Sequence, residues 1–169
     1  MRHFFAHVAG ESFRNDDGSD RQAIIPRCQV GEPLILEHEP DNPHDVNAMR
    51  VLRRTGEQIG YLERDFAGQV VSGRAKGTDY LAFVAAVGRG GGRLYGVALL
   101  IVVNDDGVGD ATVERYVGRL LAKDRPVEYR ERPAKPRLTE GGGDRRVVIA
   151  VIVMLVLAVL VGVALRLLL

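Results

Sequence analysis

The chain contains no tryptophan, one cysteine (Cys28) and few aromatic residues, 6% of 169. A lone cysteine excludes an internal disulfide and the thiolate clusters of structural zinc sites. The first ten residues, Met1 to Gly10, include no apolar stretch of signal-peptide length, so the N-terminal part is expected to stay in the cytoplasm. A basic excess of the kind that marks generic nucleic-acid binders is also missing. Residues 1–120 carry 14 Lys+Arg against 17 Asp+Glu, a balance of −3, and residues 121–146 carry 8 against 5, a balance of +3. Gly68 and Gly73 have the spacing of a phosphate loop, but Arg74-Ala75 stands where such a loop needs Lys followed by Ser or Thr.

What the upstream sequence lacks in apolar runs, the C-terminus supplies. Val147 to Leu165 is 19 residues without a charge, an amide or a hydroxyl. As a helix it would measure roughly 28 Å, the hydrocarbon thickness of a bilayer. A helix apolar on every side needs lipid around it, since a chain this short offers no protein large enough to bury it. Arg145 and Arg146 precede the run, and Lys123, Arg125, Arg130, Arg132, Lys135 and Arg137 lie further upstream. The excess of positive charge on that side predicts a single-pass tail anchor with the domain cytoplasmic. The expected organisation is a domain over residues 1–121, a linker over 122–146 and a transmembrane anchor over 147–169. The lipid bilayer is then one partner.

Within the domain, alternating and β-branched segments predict strands at His3–Ala9, Leu34–Glu37, Ala48–Leu52, Gln58–Tyr61, Tyr80–Val87 and Gly96–Val103. Thr55-Gly56 marks a hairpin, and Asn15 to Asp20 a turn-rich loop. Glu63–Ala75 has helical spacing, with Phe66, Ala67 and Val70 on one face. Asp110 is placed to cap a last helix, on which Val113, Tyr116, Val117, Leu120 and Leu121 form an apolar stripe. Short strands with one or two helices make the fold class mainly β, a small barrel.

The stretch Leu36 to Val51 is dense in special residues: Glu39-Pro40-Asp41-Asn42-Pro43-His44-Asp45-Val46-Asn47-Ala48-Met49. Two X-Pro steps enforce extended or turn geometry, and Asp45 and Asn47 are placed to bond to the loop backbone. Together with Val8-Ala9-Gly10-Glu11-Ser12-Phe13, Arg21-Gln22, Gly31-Glu32-Pro33-Leu34, Gln58-Ile59-Gly60-Tyr61-Leu62 and the late Gly96-Val97, this order of landmarks resembles the HIRAN domain family. The resemblance covers roughly residues 3–103 and leaves the linker and anchor outside.

That resemblance implies an OB-like β-barrel that recognises DNA, and in particular the 3′ end of a single strand. The residue matching Asp45 accepts a hydrogen bond from the terminal 3′-hydroxyl. The aromatic matching Phe13 stacks on a base, and His44 stands where a tyrosine helps to line the pocket. Leu94 and Tyr95 fall near a second aromatic platform. Ser12 stands where end-binding members carry an arginine that grips the backbone, and Arg14, Arg89 and Arg93 are candidates to replace its charge. A carboxylate accepts from a hydroxyl and repels an internal phosphate, so this chemistry selects ends without a strongly basic surface.

Other chemistries compete for the same loop. Glu37, His38, Glu39, Asp41, His44 and Asp45 have the right atoms for a divalent metal, and a metal-dependent hydrolase is a third reading. On a strand and loop their side chains are expected to diverge, and no serine, cysteine or carboxylate pair is placed as a catalyst. The sequence therefore predicts a binding module without cofactor, not an enzyme. Its leading partner is a single-stranded DNA end, and the alternative is an adaptor that presents the same barrel to a protein.

Overall fold

The computed structural model describes residues 1–89 and 94–123. The linker residues from 124 onward and the expected anchor over 147–169 lie outside them. Among the described residues no helix is long and apolar enough to cross a membrane.

Six antiparallel strands close into a barrel: β1 (Arg2–Ala9), β2 (Pro33–His38), β3 (Met49–Arg53), β4 (Gln58–Leu62), β5 (Asp79–Arg89) and β6 (Tyr95–Asn104), in the order β1-β4-β3-β2-β5-β6. β1 completes the circle by pairing with β6 along most of its length and with β4 at its end, where Val8 faces Leu62 and Ala9 faces Tyr61. Closure is what removes the exposed edges an open sheet would present. The fold is thus mainly β with few helices, as the alternation of the sequence implies.

Three helical segments join the strands: α1 (Arg21–Ile24), which runs into a 3₁₀ turn at Ile25–Arg27, then α2 (Arg64–Arg74) and α3 (Asp110–Lys123). The first of these has no counterpart in the sequence reading. Its four residues, followed at once by Pro26 in the 3₁₀ turn, are too few to show a helical period. α2 lies between β4 and β5 and adds Ala67 and Val70 to the barrel interior, with Phe66 stacked on Phe4 of β1 at 4.9 Å. The expected cap at Asp110 is displaced by one residue. The backbone carbonyl of Gly109 accepts from the Thr112 amide, and Asp110 sits in the first turn, where its charge suits the positive end of the helix.

The apolar side chains form two layers rather than one. Inside the barrel lie Ala6, Val8, Leu34, Leu36, Met49, Val51, Ile59, Val84, Leu99 and Ile101, with Ile24 and Ile25 joining them. Outside it, Phe83, Ala85, Ala86, Ala98, Leu100 and Val102 are covered by Val113 and Val117 of α3. β6 serves both. Val97, Leu99 and Ile101 point in while Ala98, Leu100 and Val102 point out under the helix, so the strand reads as one unbroken apolar run. β5 breaks its own alternation through a register shift between Val84 and Ala86, which leaves Ala85 and Ala86 both on the outer face.

One glycine is dictated by this packing. At Gly60 of β4 a Cβ would lie 2.4 Å from Val8 Cγ1 and 2.5 Å from the Ala9 carbonyl oxygen. Only glycine lets β1 approach β4 there, which accounts physically for the Ile-Gly-Tyr-Leu landmark.

Candidate functional site

Where β1 ends, β3 begins and β4 hands over to α2, the surface opens into a cleft of about 590 Å³. Two loops frame it. The first follows β1 and turns at once, the Phe13 amide donating to the Gly10 carbonyl at 3.1 Å. Its base is held by Arg21, a buried arginine whose Nη1 donates to the same Gly10 carbonyl at 2.8 Å and whose Nε donates to Asn15 Oδ1. Arg21 also stacks over the Tyr61 ring at 5.3 Å. Next to it Gln22 binds the Glu11 carbonyl, while exchanging two hydrogen bonds with the Tyr95 backbone at 2.9 and 2.7 Å. The Arg21-Gln22 pair therefore ties the loop to the barrel on two sides. What it presents is Phe13, 66% exposed.

The second loop, between β2 and β3, is organised by its own short polar side chains. Asn42 Oδ1 accepts from the amides of His44 and Asp45 at 2.9 and 3.2 Å, and Asn42 Nδ2 donates to Glu39 at 2.8 Å. Asp45 Oδ1 accepts from the Asn47 amide at 2.9 Å. Its other oxygen faces Arg64 Nε at 3.0 Å, and Arg64 Nη2 reaches the His44 carbonyl at 3.1 Å. A carboxylate has about four acceptor positions, and these contacts use two of them. Asp45 thus builds its loop and keeps acceptor capacity toward the cleft.

The cleft brings together Phe13, His44 and Asp45 with Arg21, Asn42, Tyr61 and Arg64. Three of the residues expected from the sequence do not line it. Ser12 is exposed on the adjacent turn, and Arg14 folds back to donate to the Gly18 carbonyl at 3.1 Å. Tyr95 packs against the barrel core at the start of β6, its ring under the Arg89 guanidinium at 4.3 Å and its hydroxyl bonded to the same group. The cations of the cleft are instead Arg21 and Arg64, which sequence reasoning did not select. Arg64 lies 19 residues beyond Asp45, at the first position of α2, and no local pattern ties the two. Arg21 and Tyr61 belong to the family landmarks, but only the fold shows that they meet.

The acidic stretch does not converge. Glu37 pairs with Arg50 at 3.1 Å, His38 with the Val46 carbonyl at 2.8 Å, Glu39 with Asn42 and Asp45 with Arg64. Among the described residues no three His, Cys, Asp or Glu come close enough to hold a metal ion.

With this geometry in place, comparison with known proteins is decisive for the family. The HIRAN domain model matches residues 1–85, half of the chain. The chain belongs to the HIRAN domain family. The matched region carries both loops of the cleft, Phe13 and Asn42-Pro-His-Asp45 included, and ends within β5. A rabbit (Oryctolagus cuniculus) protein, helicase-like transcription factor, is 44% identical over 36 residues, which is 21% of this chain and 4% of that much longer protein. The crystal structure of the HIRAN domain of human HLTF is similar at 20% identity with a TM-score of 0.46, over 72% of this chain and 87% of that one. A protein from Lactobacillus plantarum is similar at 20% identity and a TM-score of 0.44, over 57% and 89% respectively.

Proposed function

We propose that this HIRAN domain is a membrane-tethered binding module that captures the 3′ end of single-stranded DNA in the cleft between Phe13 and Asp45. The observation that carries the reading is the pairing of a two-thirds exposed aromatic ring with a largely sheltered carboxylate, 18% exposed, across one cleft. A terminal base stacks on Phe13, and stacking tolerates any base. The terminal hydroxyl donates to Asp45. Arg64, with its side chain 70% exposed, stands beside that carboxylate and meets the phosphate of the last nucleotide, the task for which Ser12 has no charge. His44 supplies a flat ring on the same wall. The cleft binds and orients, and no step of bond making is assigned to it.

The apolar run Val147–Leu165 is the tether in this proposal, and the positive residues before it keep the domain on the cytoplasmic side. Where DNA and membrane share a compartment, such a module would hold strand ends at the membrane surface.

The adaptor reading needs an exposed apolar patch away from the cleft. Among the described residues the two most exposed large apolar side chains, Phe13 at 66% and Val46 at 67%, instead sit on the two loops that frame the cleft. This favours a ligand there.

The test is titration of the full chain, in lipid nanodiscs, with labelled single strands ending in 3′-hydroxyl or 3′-phosphate. The control is Asp45→Asn, which preserves an acceptor for the Asn47 amide and so leaves the loop standing while removing the negative charge. The wild type should prefer the hydroxyl end by at least tenfold, and Asp45→Asn should bind both ends alike. Equal binding of the two ends by the wild type would refute end capture, and absence of binding to either would return the cleft to a protein ligand.

A further inference from the structure

One surface of α3 is left unexplained by its packing. Val113 and Val117 are buried against the barrel, with Tyr116, Leu120 and Leu121 beside them. On the opposite side Arg115, Arg119 and Lys123 follow one another at four-residue intervals, all exposed, and neither Arg119 nor Lys123 has an ion-pair partner among the described residues. Four-residue spacing places them in a single row along the helix. The nine residues from Arg115 to Lys123 hold three cations and no acid, in a domain whose first 120 residues are net acidic by three charges.

The ordinary explanation of basic residues in a helix is the negative end of its dipole, which acts only over the last turn. It accounts for Lys123. It does not account for Arg115, the sixth of fourteen residues, whose Nε turns back to the Ala111 carbonyl at 3.2 Å. The acids of the same helix, Asp110 and Glu114, lie apart, at a groove that also receives Arg54. The row is therefore uncompensated as well as exposed.

From this we infer that the Arg115–Arg119–Lys123 row of α3 rests on anionic lipid headgroups, and that it sets which way the domain faces the bilayer. The inference builds on the tethering half of the proposed function. α3 is the last helix before the stretch 124–146, which carries seven lysines and arginines against five acids and leads into the apolar run at Val147. A basic surface that near the membrane in sequence is matched by the negative potential of a phospholipid surface, and each cation there strengthens contact about fivefold. With the row lying on lipid, the apolar face of α3 stays on the barrel and the cleft loops, which belong to other elements, are left to solvent.

The test places the full chain in vesicles of phosphatidylcholine alone or with phosphatidylglycerol. A dye on Ala122→Cys reports energy transfer to a headgroup acceptor. Native Cys28 is buried, and burial with Glu32 nearby pushes its thiol up to about 11, so it competes poorly for the label. Transfer should rise when phosphatidylglycerol is present and fall with added salt. Arg115→Gln, Arg119→Gln and Lys123→Gln together should shift the apposed-to-free ratio by roughly a hundredfold toward free. Transfer that ignores lipid charge, in a chain that does enter both vesicles, overturns this inference and leaves the tether intact. Transfer that survives the triple substitution overturns it too, by assigning the contact to the downstream basic stretch. If the triple substitution abolishes binding of single-stranded DNA in place of lipid-dependent transfer, the row is a nucleic-acid surface and the inference fails. A chain that enters neither vesicle brings down the tether and the inference with it.

Discussion

β3 and β4 carry arginine–carboxylate pairs at both ends, and the two ends behave differently. At the hairpin end, Arg53 binds Glu32 and Glu57 at 2.8 Å each, Arg27 closes on Glu57, and the Thr55 hydroxyl donates to Glu57 at 2.9 Å. The Thr55 hydrogen bond above all, with the neighbouring Arg27 and Arg53 guanidiniums, holds the Glu57 carboxyl below its usual range against the opposing effect of burial. Arg27, Glu32, Arg53 and Glu57 there all have an answering charge. At the other end, Asp45 meets one arginine whose side chain is 70% exposed, beside a phenylalanine that is almost as exposed. The same residue types make a closed network in one place and an open one in the other. Closure stabilises a fold; openness leaves donors and acceptors for something that is not yet bound.

Substitutions should separate the two ends cleanly. The largest effect on folding is expected from Arg53→Ala. It strands Glu32 and should cost about 2 kcal/mol in denaturant unfolding, less than orphaning a fully buried charge because Glu57 keeps Arg27. DNA binding by the folded fraction should be unchanged. Phe13→Ala should do the reverse. It should lower affinity for single strands by about 1–3 kcal/mol, the value of one stacked base, while the unfolding curve moves by less than about 0.5 kcal/mol. Arg64→Ala should be the gentlest. An exposed ion pair contributes less than about 1 kcal/mol to stability, but removing one phosphate contact should flatten the salt dependence of binding by about one ion. A folding defect from Phe13→Ala, or a binding defect from Arg53→Ala, would mean that the two ends are not distinct in the way their contacts imply.

Much of this fold was legible in the sequence because most of it rests on periodicity. The strands show either alternation or, as in β6, an unbroken apolar run, α3 shows its stripe of Val113, Tyr116, Val117, Leu120 and Leu121, and the loop from Glu39 to Ala48 announces itself by its prolines and short polar side chains. Asp45 is both a loop builder and a cleft residue, and its sequence context carries both meanings. What was illegible is what depends on distant segments meeting. Arg21, Tyr61 and Arg64 come to the cleft from three different elements: the pairing of β1 with β4 brings the Gly10 turn and Arg21 to Tyr61, while Arg64 reaches the β2–β3 loop from the start of α2. The family resemblance puts a second platform near Tyr95, a residue whose backbone Gln22 fastens in the fold and whose ring lies under Arg89.

The double burial of β6 has a consequence for the life of the protein outside its native state. Val97 to Val103 is uncharged, free of proline and rich in branched side chains, the composition of segments that stack into fibrils. In the folded domain one face of that segment is sealed by the barrel and the other by α3. The helix is thus also a guard against aggregation: a chain cut before Asp110 would leave Ala98, Leu100 and Val102 bare and ready to recruit a second copy.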